Sequence, residues 1–208
     1  FIEKGATEII IGEGSAFFYK SHHFKHLINK CGYQKLLDYP EVSIINLEDK
    51  SVKREAYQWK FGKLLIPKLI KTHEYINVPT LKTHYQTQVS LGCKNQKGLL
   101  LLQDKKNFHR KELHEYILEL NKILIPDLTI MDGIFGLEGN GPVLNPMSTP
   151  VEMNALLASK DTIAMDNVCC ELMNLDVNEV KHLPQKDFQI MGIDINKIRK
   201  TFKRSQLI

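Results

Sequence analysis

Lys82, Thr83 and His84 put an ammonium, a hydroxyl and an imidazole on three consecutive residues. The ammonium can neutralise a carboxylate or a phosphate. The imidazole can exchange a proton near neutral pH or ligate a metal. Further along, Lys94 and Asn95 run into Gly98. They offer a second cation and an amide able to bond a ligand's carbonyl. His109 beside Arg110 adds another imidazole just before a helical pattern that opens at Lys111. A second constellation is Asp132-Gly133-Ile134-Phe135-Gly136-Leu137-Glu138-Gly139-Asn140-Gly141-Pro142. Its glycines, Gly139 and Gly141 among them, let backbone N–H groups approach a ligand closely, and Asn140 stands between those two. The run is not a phosphate-binding P-loop, because no Gly-Lys-Ser/Thr closes it. Glu13, between Gly12 and Gly14, is a further acid at the end of an apolar run.

Read together, His84 is the expected acid or base, and Lys82 and Lys94 are anion clamps. Asp132 and Glu138 are acids, bases or metal ligands. Thr83, Asn95, Gly98, His109, Gly139, Asn140, Gly141 and Glu13 line the same expected crevice. A divalent metal, if bound, is expected on His84, His109, Asp132 or Glu138. Zinc and nickel both accept such nitrogen and oxygen ligands. The four cysteines, Cys31, Cys93, Cys169 and Cys170, include no C-x-x-C pair. A cysteine-ligated iron–sulfur cluster is therefore not expected in this chain, and reduced thiols suit a cytoplasmic setting.

Positioning these groups requires strands that end next to them. Glu8 to Ile11, Val42 to Leu47, Tyr75 to Val78, Leu128 to Met131 and Met153 to Ala158 read as apolar strands. Helical spacing is expected from Phe17 to Cys31, Phe61 to Lys71 with a kink at Pro67, and Gln86 to Lys97. The clearest amphipathic helix runs from Lys111 to Leu124 and stops before Pro126. Asp161 is expected to cap a helix running to Met173, and a short helix follows Asp194. Glu138 to Pro142 is expected to be loop. Alternating strands and helices predict an α/β fold, a mostly parallel sheet flanked by helices in three layers. In such a fold, ligands bind outside the carboxyl ends of the strands.

The 208 residues suffice for one domain with a real core, so a single domain over residues 1–208 is expected. At 43% hydrophobic and 25% charged, the composition is that of a folded protein rather than a disordered one. No apolar run approaches the roughly 20 residues of a membrane helix. The net charge of +4, without aromatic–basic interleaving, argues against nucleic acid. Lys94, Lys97, Lys105, Lys106, Arg110 and Lys111 nevertheless cluster against Asp104 alone. That patch suits an anionic ligand. The chain lacks an initiator Met, and it is expected to derive from a longer product.

In this order the pieces resemble the family called domain of unknown function 362. The likeness rests on Ala6 to Gly14, Cys31-Gly32-Tyr33, Tyr75 to Pro79 leading to Leu81-Lys82-Thr83-His84, and Lys94-Asn95 with Gly98. It continues through His109-Arg110, Asp132-Gly133, Glu138 to Pro142, and Asp161 with Ala164 and Asp166. The resemblance covers about Ile2 to Leu183. It implies an α/β fold and a polar site, and it names no reaction. Relatives often carry an iron–sulfur segment that this chain does not show, which makes an iron–sulfur or redox protein a possible partner. Two readings stay open: an enzyme acting on a small carboxylated or phosphorylated molecule, and a module that docks a redox partner through the basic patch.

Overall fold

The computed structural model describes residues 1–14, 23–109 and 112–206. The chain is of the α/β class. It forms two compact units, Phe1–Thr72 with Lys97–Arg110, and His73–Gln96 with Lys111–Ile208.

In the first unit, β1 (Ile9–Glu13) and β2 (Val42–Asn46) pair in parallel, from Ile9 opposite Val42 to Glu13 opposite Asn46. Parallel neighbours need a long crossover, and α1 (His23–Lys30) lies within it. The opening part of the helix expected from Phe17 lies outside the described residues. β3 (Arg54–Trp59) and β4 (Gly62–Pro67) form an antiparallel hairpin. This corrects the helix expected from Phe61 to Lys71. Leu64 and Ile66 are buried while Lys63 and Leu65 are exposed, a period of two that belongs to a strand. Only α2 (Leu69–Thr72) is helical there.

The second unit is built on a five-stranded sheet. Its centre is β8 (Leu128–Gly139). β5 (Ile76–Asn77) and β6 (Thr80–His84) both pair with it in parallel, and β9 (Ser148–Ser159) pairs with it antiparallel. β7 (Gln88–Ser90) adds to β6 antiparallel. The sheet is therefore mixed and not mostly parallel. Residues 85–87 and 140–147 are too short for helical crossovers, so both connections turn back as hairpins. The expected loop from Glu138 is strand as far as Gly139. The expected helix from Gln86 shrinks to α3 (Gly92–Asn95), continued by a 3-10 turn at Gln96–Leu99.

α4 (Leu102–Phe108) belongs to the first unit. α5 (Leu113–Ile123) buries Leu113, Ile117 and Leu120, the stripe its spacing predicts. α6 (Thr162–Leu172) starts at Asp161, whose carboxylate accepts the Ala164 N–H at 2.9 Å. It packs against α3, β8 and β9. Leu81, Val89, Met131, Cys169, Leu172 and Phe202 fill the core of this unit. Among the described residues, no helix is long and apolar enough to cross a membrane.

Candidate functional site

In the second unit, the groups singled out by sequence divide between two ends of β8. Thr80 of β6 lies opposite Asp132, and Lys82 lies opposite Leu137. Asp132 and Glu138 are thus separated by about 20 Å of strand. The Asp132 carboxylate accepts the Ile134 N–H at 3.0 Å. Lys82 donates to the Thr80 hydroxyl. Thr83 is buried and its hydroxyl donates to the carbonyl of Gly139 at 2.8 Å.

Glu138, Gly139 and Asn140 are held by the chain's own C-terminal segment. Glu138 Oε2 accepts the Lys203 N–H at 2.8 Å, and Gly139 N–H donates to the Lys203 carbonyl at 2.9 Å. Asn140 Oδ1 accepts from the Ser205 hydroxyl at 2.6 Å and from Gln206 N–H at 3.0 Å. Glycine is required at 139 because φ is +84° and a Cβ would stand 2.3 Å from the Met147 carbonyl oxygen. A Cβ on Gly141 would meet the Thr83 carbonyl oxygen at 2.3 Å. This glycine-rich end packs protein against protein.

His84 is 1% exposed, and its Nδ1 accepts the Gln86 N–H at 3.0 Å. Lys94 is 8% exposed. Near it His114 and His182 meet, Nδ1 to Nδ1, at 3.0 Å. Sequence reasoning missed this pair, since His182 stands alone in a segment with no periodicity. Burial, His114 and Lys94 together push the His182 pKa down to about 3. Burial chiefly lowers that of His114 too, with Lys181 and Lys94 adding to it.

Asn95 is exposed, and its side chain donates to Oδ1 of the buried Asn77 at 2.9 Å, while Asn77 donates to the Gly92 carbonyl at 3.1 Å. Asp166 caps α3 by accepting Gly92 and Cys93 N–H, both at 2.8 Å. Burial raises its pKa to about 7 against the pull of those two donors. His84, Lys94, His182 and Asp166, all below 9% exposure, are internal groups that a solute does not reach in this conformation.

The first unit holds a second group of ionisable side chains. Its two parallel strands deliver Glu13 and Glu48 at their carboxyl ends, where Leu47 N–H also bonds the Glu13 carbonyl at 2.9 Å. Lys105 Nζ donates to Glu48 Oε1 at 2.9 Å, and both side chains are nearly inaccessible. Burial lowers the Lys105 pKa, with Glu48 opposing the shift. A Cβ on Gly14 would sit 2.0 Å from the Gly98 carbonyl oxygen and 2.7 Å from Lys105 Nζ, so only glycine fits there. Arg54 fastens the unit by donating to the carbonyls of Leu65 (3.0 Å), Leu99 (2.9 Å) and Leu47.

Beside this lies Lys97. Its Nζ is 2.7 Å from His109 Nε2 and 5.9 Å from the Phe108 ring centre, and Phe108 stacks on Trp59. Lys97 and His109 are both half-buried. Burial is the main cause that brings the Lys97 pKa down to about 8, with repulsion from Lys105 second. Of the groups expected at the site, Glu13, Gly98 and His109 thus fall in the first unit. Their partner amines, Lys97 and Lys105, entered the sequence reading only as members of a charged stretch. The spacing of Lys105 and His109, four residues apart, was the available signal. Arg110 and Lys111 of that stretch lie outside the described residues. A hollow of about 290 Å³ in this unit is lined by Ile9, Ile11, Leu36, Tyr39 and Val42, and it offers apolar walls rather than converging polar groups. Among the described residues, no three His, Cys, Asp or Glu side chains gather as a metal-binding set.

The sequence profile of the family described as "Domain of unknown function (DUF362)" matches residues 1–171. A thylakoid-associated protein of Synechocystis, sll1697, is 36% identical over 107 residues, 49% of this chain and 32% of that protein. The match thus spans about a third of the relative's length. No solved structure matches the chain.

Proposed function

We propose that this chain, which belongs to the DUF362 family, is an enzyme domain that binds a small carboxylated or phosphorylated molecule at Lys97 and His109. One observation carries the reading: a half-buried amine touches an imidazole at 2.7 Å, beside the carboxyl ends of two parallel strands. An amine can clamp an anion, and an adjacent imidazole can carry its protons. Lys105 is committed to Glu48 and Arg54 to backbone carbonyls, whereas Lys97 faces an imidazole. The docking alternative draws less support. Lys94 and Lys105 of the basic stretch are buried, which takes them off a surface that a partner would meet.

The test is calorimetric titration with inorganic phosphate, citrate and pyruvate at low salt. It uses the wild type, Lys97→Gln, and the exposed-lysine control Lys106→Gln. A charge-assisted hydrogen bond contributes about 1.5–3 kcal/mol. Lys97→Gln should therefore bind roughly 10- to 100-fold more weakly, with Lys106→Gln close to wild type. Equal binding by wild type and Lys97→Gln would contradict the proposal.

A further inference from the structure

We propose that Lys97 is a nucleophile that condenses with the carbonyl carbon of a small 2-oxo acid, with His109 carrying the protons. This rests on the reading that the Lys97–His109 pair holds the anion, and it adds the reacting group and the bond formed.

Imine formation sets two demands on a lysine. The amine must be neutral often enough to attack, and the carbonyl compound must reach it. Lys97 meets the first through burial of its amine, with repulsion from the Lys105 ammonium second, and these outweigh the Phe108 ring 5.9 Å from Nζ, which favours the ammonium. With a pKa near 8, about a quarter of the amine is neutral at pH 7.5. An ordinary lysine has about 0.1% neutral there. The second demand is met in part because Lys97 keeps some exposure, unlike the buried Lys94 and Lys105. A carboxylate next to the carbonyl would be drawn to the Lys97 ammonium before it gives up its proton to His109, which favours a 2-oxo acid over a neutral aldehyde.

The 2.7 Å contact to His109 Nε2 supplies the proton path. His109 takes a proton from the Lys97 ammonium, and the freed Nζ pair forms a bond to the carbonyl carbon while the C=O π pair moves to oxygen. Proton transfer from nitrogen to that oxygen through His109 gives the neutral carbinolamine. A proton from the His109 imidazolium then lets the oxygen leave as water while the nitrogen pair forms the C=N bond. Ammonium plus carbonyl gives iminium plus water, His109 returns neutral, and no oxidant or reductant is consumed.

The experiment is reductive trapping of the protein with pyruvate and cyanoborohydride at pH 7.5, read by peptide mass mapping. The adduct at Lys97 is compared with that at exposed Lys106 in the same molecules, so folding of a variant does not enter. Lys97 should be labelled at least about tenfold faster than Lys106, and inorganic phosphate should slow only Lys97. His109→Asn should lower the Lys97 rate while leaving Lys106 unchanged. Labelling of Lys97 no faster than Lys106 would overturn the proposal. If calorimetry still shows phosphate held through Lys97, the anion-binding reading survives that failure. If phosphate binding is also insensitive to Lys97→Gln, both fall.

Discussion

Lys97 Nζ and His109 Nε2 lie 2.7 Å apart although the two residues are twelve positions apart in the chain. The 3-10 turn after α3 presents the lysine and the end of α4 presents the histidine. Neither element alone marks a site. Their meeting gives an amine in an apolar setting with a proton acceptor in contact.

Asp166 should govern both stability and its pH dependence. Its carboxyl group accepts two buried backbone N–H bonds. Asp166→Ala leaves both donors without an acceptor, at a cost of about 2–5 kcal/mol. Its folded pKa is about 7, above the ordinary carboxyl value. The folded chain therefore holds a proton between about pH 4 and pH 7 that the unfolded chain has released, and this group lowers stability as pH rises through that window. Urea unfolding at pH 5 and pH 8 should show a change toward lower stability at pH 8 in the wild type relative to Asp166→Asn, since His182 contributes equally to both proteins.

His182 acts in the opposite sense. With a folded pKa of about 3, it stays neutral while an unfolded histidine takes up a proton near pH 6.5. Stability from this group is complete above about pH 6.5 and lost as pH falls toward 3. The groups facing it are His114 and Lys94. Nitrogen-15 spectra of the imidazole should show His182 neutral at pH 5. His182→Leu should flatten the acid limb of the stability curve relative to wild type.

Gly136 and Phe202 form a fitted pair. A Cβ on Gly136 would stand 2.7 Å from Phe202 Cζ, and Phe202 is 2% exposed. Gly136→Ala should destabilise by about 1–3 kcal/mol through overpacking. Phe202→Ala alone should cost about 3–5 kcal/mol. The smaller Phe202→Leu should recover part of the Gly136→Ala loss. Additive losses in the double variant, measured by thermal unfolding, would show that the contact does not couple the two positions.

How much of this was legible follows from where each signal lives. The α5 stripe and the Asp161 cap are local patterns, and both stand in the structure as expected. Gly62–Pro67 is a strand where helical spacing with a kink at Pro67 is expected, because the alternation of Leu64 and Ile66 is the stronger signal. The mixed sheet is hidden because strand direction depends on connections, and the helical spacing from Gln86 overlaps the turn at residues 85–87 that reverses the chain. At the site, residue types pointed to Lys82, His84 and Glu138. Tertiary packing decides which polar groups reach solvent, and it buries His84 and ties Glu138 to Lys203. The value of Lys97 depends on the Phe108–Trp59 stack and on Lys105, long-range neighbours that a single sequence does not display.

The most direct measurement of the central claim is the titration of Lys97 Nζ by NMR on nitrogen-15-labelled lysine, assigned with Lys97→Arg. The account predicts a midpoint near pH 8, well below the ordinary lysine value, and an upward move when inorganic phosphate is added, because a bound anion favours the ammonium. A midpoint at the ordinary lysine value of about 10.4, unmoved by phosphate, would contradict it.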